Sequence, residues 1–182
     1  MMDKGKDTRE RIIEAAIEVF GKGDFDTATT DQVANASKVS KGTVFLHFNK
    51  KSDLIEQVAL ISVPYDIISN IDLNAFSSPA GLLDALATGF MEKYKDPNIR
   101  SLLLKTLSVK ERYPRVKDKL REACMSKMDD FFSRVEELLG RDIPVPMRRA
   151  FFGALLCYVI WWDDNITNPG DYVRSLIDNF LK

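Results

Sequence analysis

Apolar residues recur at steps of three and four along almost the whole chain, the period of helices packed by one face, and no stretch alternates with period two. Ile12, Ala16, Val19 and Phe20 line one side of a first helix, which Asp7 or Thr8 caps and which Gly21, Gly23 and Asp24 end. Two short helices follow, over 30–36 and 40–46, each opened by a hydroxyl residue suited to accept from the free amides of a first turn. A fourth begins near 50–53. Its stripe of Leu54, Val58, Ile61, Tyr65 and Ile68 keeps phase across Pro64, which predicts one kinked helix rather than two.

The later helices are set off by punctuation. Ser78-Pro79 opens a helix with Leu82, Leu83, Leu86, Phe90 and Tyr94 on one side, and Asp96-Pro97 opens another with Ile99, Leu102, Leu103 and Leu107, which Pro114 ends. A long amphipathic helix over 115–139 carries Val116, Leu120, Cys124, Met128, Phe131, Val135 and Leu138, and Gly140 is its stop. Two final helices, over 146–165 and 170–181, are joined by the turn Thr167-Asn168-Pro169-Gly170. The expectation is an all-α chain of about nine helices, with no sheet, no repeats and no low-complexity tract.

Composition narrows the class. Of 182 residues, 45% are hydrophobic and 29% charged, the balance of a globular chain, and a net charge of −1 gives no overall sign of a polyanionic partner. Cys124 and Cys157 belong to no CxxC or histidine cluster, so neither a metal site nor a disulfide framework is expected. The charged N-terminus lacks the apolar core of a signal peptide, and the longest apolar run, Ala150 to Trp162, is shorter than the roughly 17–25 residues of a membrane span. A cytoplasmic protein is expected. With one histidine, two separated cysteines and no glycine-rich phosphate loop, no residues nominate themselves for catalysis, and no cofactor is implied.

Chemistry concentrates between Thr29 and Lys51. The spacing is that of a helix-turn-helix: Val33 and Ala34 face inward on one short helix, Ser37-Lys38-Val39 makes the turn, and a second helix presents Lys41, Gly42 and Thr43 at its start. A recognition helix reads base edges from its first turn, so small and polar residues suit it. From Lys38 to Lys51 there are four lysines and no acid, although residues 1–55 as a whole hold nine basic and nine acidic residues. The positive surface is local.

Thr29-Thr30-x-x-Val33-Ala34, followed by Val39-Ser40-Lys41-Gly42-Thr43-Val44-Phe45-x-His47-Phe48-x-x-Lys51-x-x-Leu54, resembles the DNA-binding signature of the TetR family over about residues 8–60. The resemblance implies a three-helix helix-turn-helix DNA-binding domain over 1–52 and a helical ligand-binding and dimerisation domain over 53–182. It implies backbone contacts to DNA from Thr30, His47 and Lys51, and recognition by Ser40, Lys41, Gly42 and Thr43. Phe45 takes the family's usual tyrosine position, keeping apolar contact with sugar or thymine methyl but losing the phenolic hydrogen bond. Lys38 stands where the family usually has glycine; if left-handed, it costs on the order of 1 kcal/mol relative to glycine.

The resemblance also implies a homodimer on a palindromic operator, acting as a repressor that a small effector releases. Phe90, Met91, Tyr94, Met125, Met128, Phe131, Phe132 and Trp161 are the candidate pocket residues, and their composition points to an apolar or aromatic effector. Asp163 and Asp164 are candidates for a cationic ligand. Phe152, Leu156, Val159, Ile160, Leu176 and Phe180 are the candidate dimer contacts on the last two helices. The rival reading is an interaction protein that keeps the helix-turn-helix shape without sequence-specific DNA binding, which the balanced N-terminal charge, Lys38 and Phe45 would suit.

Overall fold

The computed structural model describes residues 7–162 and 167–182, and these are helical with no strand. In chain order the helices are α1 (Thr8–Lys22), α2 (Thr30–Ser37), α3 (Lys41–His47), α4 (Lys51–Ser62), α5 (Tyr65–Ser69), α6 (Pro79–Tyr94), α7 (Pro97–Val109), α8 (Pro114–Glu122), α9 (Met128–Leu139), α10 (Val145–Trp161) and α11 (Pro169–Phe180). A π-helical turn, Ala123–Lys127, joins α8 to α9 without a break, so the described residues form ten rods.

The extra rod comes from Pro64. Val63 is extended (φ −74°, ψ 153°), and α4 and α5 are separate helices rather than one kinked helix. The proline ring disfavours helical geometry in the residue before it, and here that local effect overrides the continuous stripe. The long helix departs from regularity too. Val116, Leu120, Cys124 and Met128 are spaced by three successive steps of four, which would carry the stripe around a rod of 3.6 residues per turn. The wider π turn keeps Ala123 and Met128 buried. Gly140 ends α9 in the left-handed conformation (φ 70°), as its position predicts.

The chain divides into two compact units, one running to Val63 and including Asp96–Asp118, the other made of Pro64–Lys95 and Lys119–Lys182. This is a partition by packing; the expected division, with DNA binding over 1–52 and ligand binding and dimerisation over 53–182, is one by function.

In the first unit, Ile12, Ala16 and Phe20 of α1 meet Val33, Val44, Leu54, Val58 and Leu102 in one core. Gly21, which the pattern assigns to the end of α1, lies within its last turn and is buried. A Cβ there would sit 2.6 Å from Asn98 Cβ, so glycine lets α7 approach α1 closely. The amino group of Lys105 on α7 donates to the carbonyls of Phe20, Gly21 and Gly23 at 2.6–2.9 Å, a cationic cap on the end of α1. Burial pulls its pKa below the usual lysine range, while Asp24 pushes the other way. Arg11 caps α2 similarly, donating to the Ser37 carbonyl at 2.7 Å.

The second unit packs α6, α9, α10 and α11 around aromatic rings. Phe132 and Phe151 stand edge to face at 6.2 Å between centroids, Phe151 and Phe180 at 4.9 Å, and Phe90 and Phe152 at 5.4 Å. Arg148 pairs with Glu136 at 2.7 Å, and Glu136 also accepts from the Ile143 amide, which ties the α9–α10 connection down. No described helix is long and apolar enough to cross a membrane.

Candidate nucleic-acid interface

Local hydrogen bonds fix the turn between α2 and α3. Thr29 is the N-cap of α2: its hydroxyl accepts from the Gln32 amide at 3.2 Å, and its own amide donates to the Gln32 side chain at 2.8 Å. Thr30, the expected phosphate contact, is half-buried in the first turn behind it. Lys38 ends α2 in the left-handed region (φ 56°, ψ 42°), the strained arrangement anticipated for a lysine in a glycine position. Ser40 caps α3, accepting from the Thr43 amide at 3.0 Å and sharing a hydrogen bond with the Thr43 hydroxyl at 2.8 Å. Its oxygen is thus engaged within the protein.

Val44 is the buried residue of α3 and points into the core of the first unit. At 3.6 residues per turn, Gly42 and Leu46 lie opposite it, Lys41 and Phe45 on one flank, Thr43 and His47 on the other. None of the expected α3 contacts shares the buried position of Val44: Gly42 lies on the outward face beside Leu46, which was not among them, and the others lie on the flanks, with Thr43 and His47 half-buried. Leu46 is 80% exposed, against 38% for Phe45. Counting round the helix from Val44 would have found it.

The lysines around this face differ in their partners. Lys41 reaches back to Asp31 of α2 at 2.9 Å, an ion pair with both ends half exposed. Lys51 donates to the Asp26 carbonyl at 3.0 Å. Lys50 lies 3.9 Å from Asp53, a loose pair, and Lys38 has no carboxylate partner among the described residues. Exposed pairs of this kind are worth little in water, so a phosphate can take these cations over at small cost.

The other expected residues fall into distinct environments. Phe90, Met91, Tyr94, Met128, Phe131 and Phe132 are buried together in the second unit, whereas Met125 is 40% exposed and Trp161 78% exposed. Burial pushes the Tyr94 phenol far up, so it stays protonated. A surface groove of about 490 Å³ between α6 and α11, lined by Asp84, Thr88, Val173 and Arg174 among others, includes none of the eight. Of the candidate dimer residues, Val159 is buried, Phe152 and Phe180 pack on the aromatic core, Leu156 and Leu176 are half-buried, and Ile160 is exposed. The open face of α10 carries Ala150, Gly153, Cys157, Ile160 and Trp161. Asp163 and Asp164 lie outside the described residues.

Comparison with known proteins bears on this arrangement. Residues 12–58 match the family model for bacterial regulatory proteins of the tetR family. An uncharacterized HTH-type transcriptional regulator of Pseudomonas putida, TtgW, is 44% identical over 55 residues, which are 30% of this chain and 41% of TtgW. The chain thus matches less than half the length of that relative. Over nearly the whole chain the fold is shared with the fatty acid degradation regulator FadR of Bacillus halodurans (TM-score 0.74, 20% identity, 98% of this chain and 97% of that one). It is shared also with FadR of Bacillus subtilis, solved in complex with stearoyl-CoA (TM-score 0.73, 17% identity, 95% and 97%).

Proposed function

Because the chain belongs to the TetR family of bacterial regulatory proteins, we propose that it is a cytoplasmic transcriptional repressor, binding a palindromic operator as a homodimer and released by a small apolar or aromatic effector. The observation that carries this reading is the uncovered surface of α3, where Gly42 faces outward, Lys41 and Phe45 are exposed on one flank, Thr43 and His47 are half-exposed on the other, and Lys38, Lys50 and Lys51 are close in sequence. In this reading residues 1–52 read DNA, and 53–182 bind effector and partner subunit. Thr30, His47 and Lys51 hold the backbone, while Lys41, Gly42 and Thr43 meet base edges and neighbouring phosphates. Ser40 acts mainly by holding Thr43.

The open apolar line of α10 supports the homodimer. Its members recur at steps of three and four, and nothing lies within 4 Å of where a Gly153 Cβ would be, so a second helix has room to approach. An apolar effector suits the aromatic and methionine-rich second unit, and FadR of Bacillus subtilis holds stearoyl-CoA on a similar fold. Release works through population shift: effector favours the arrangement whose recognition helices no longer match successive major grooves.

The test is selection of genomic fragments by the purified chain at physiological salt, followed by sequencing. A shared palindrome with half-sites about one helical turn apart is expected. Retention with no common sequence would overturn the regulator reading in favour of the interaction-protein one.

A further inference from the structure

The side chain at the centre of the outward face of α3 is neither charged nor polar. Leu46 is 80% exposed, more than any other large apolar residue described, and it lies opposite the buried Val44. One turn earlier stands Gly42, where an added Cβ would meet only the Ser40 hydroxyl oxygen, at 3.6 Å. The fold itself therefore has room for alanine there. The missing side chain instead leaves the surface low beside Leu46, so that a flat partner can come close to the helix backbone.

The surroundings of this apolar spot identify its occupant. Four lysines and no acid lie between Lys38 and Lys51, which favours a polyanion over an apolar protein surface. Of the base-pair edges a DNA major groove presents, only thymine offers an apolar group, its 5-methyl. We propose that Leu46 packs on the 5-methyl group of a thymine and so fixes a thymine in each operator half-site. This rests on the regulator reading above. Phe45, one flank away and only 38% exposed, is turned towards the side of the groove and is the lesser contributor.

The experiment enriches a randomised duplex pool with the full chain and, separately, with Leu46→Ala. It then measures both proteins on the selected duplex with the indicated thymine kept or replaced by uracil, which removes only the methyl group. The wild type is expected to select a motif with a thymine in each half-site, and Leu46→Ala the same motif relaxed at that position alone. Uracil should weaken wild-type binding about fourfold per half-site, the factor that burial of one methyl group is worth, and leave the variant unaffected. The variant should melt with the wild type, since the lost side chain touches little. Unrelaxed thymine selection by Leu46→Ala, or equal wild-type affinity for uracil and thymine, overturns the inference and leaves the regulator reading intact. A wild type that selects no motif overturns both.

Discussion

Leu46 and Phe131 are both large apolar residues at helical spacing, yet they sit at opposite extremes of the molecule. Leu46 is 80% exposed on a seven-residue helix, opposite the side that packs; Phe131 is fully buried against Phe132, with ring centroids 5.4 Å apart. Their hydrophobicity does not distinguish them; their phase on the helix does. The difference lies in whether a neighbouring element covers the side chain. A covered apolar residue reports on cohesion, and one left bare among lysines reports on a partner. Substitutions in the second unit should therefore register as lost stability, and those on the outer face of α3 as altered DNA binding at constant stability.

The largest expected effect tests the covered side of this contrast. Phe131→Ala should cost about 3–5 kcal/mol, because the transfer energy of the ring is lost and a cavity remains among Phe132 and its neighbours. Urea unfolding would show it as a lower midpoint at similar slope. A loss under about 1 kcal/mol would mean that the aromatic cluster can collapse around a vacancy, and its residues would then be better candidates for a pocket than for a core. Gly21→Ala is the corresponding test in the first unit. The added Cβ would lie 2.6 Å from Asn98 Cβ and force α1 and α7 apart, at about 1–3 kcal/mol. It should also lengthen the three contacts of Lys105 with the end of α1. An alanine variant as stable as the wild type would show that the α1–α7 contact is adjustable.

These cases also mark what is legible in the sequence. Helix boundaries written in caps are readable: Ser78 and Asp96 accept from the amides of Gly81 and Asn98 as their positions before proline suggest, and Gly140 ends α9. The break at Pro64 is missed because a stripe in phase outweighs a local steric rule. The π turn is announced by three steps of four whose meaning depends on knowing that the stripe must stay buried. In the candidate interface, the positions on α3 are legible, but their partners are not. Asp31 and Lys41 are ten residues apart, and their pairing follows from how α2 crosses α3. The buried aromatics can be named from composition and spacing. Which of them, if any, line a pocket depends on side-chain packing, which no period records.

A smaller effect sharpens the exposed side of the comparison. Asp31→Ala releases Lys41 and removes an anion beside the lysine-rich face. Stability should barely move, because the pair is half exposed at both ends. DNA affinity at low salt should rise about two- to fivefold, and the slope of log affinity against log salt should steepen by about one, as one more cation displaces counterions. Filter binding across a salt series measures both. Unchanged affinity and slope would place Lys41 away from the phosphates.

Lys38→Gly should have the smallest effect, and a divided one. Left-handed lysine costs about 1–2 kcal/mol relative to a residue at ease there, and glycine gives back about 0.5–1 through its freer unfolded chain, so net stabilisation is about 0.5 kcal/mol. The same change deletes a cation with no carboxylate partner among the described residues, beside α3. Operator affinity should then fall, with a shallower salt slope, while the melting temperature rises slightly. If the variant gained stability and kept its affinity, the strain at this turn would have no function in DNA binding. Opposite signs would mean that a strained backbone is retained at position 38 for the charge it places at the interface.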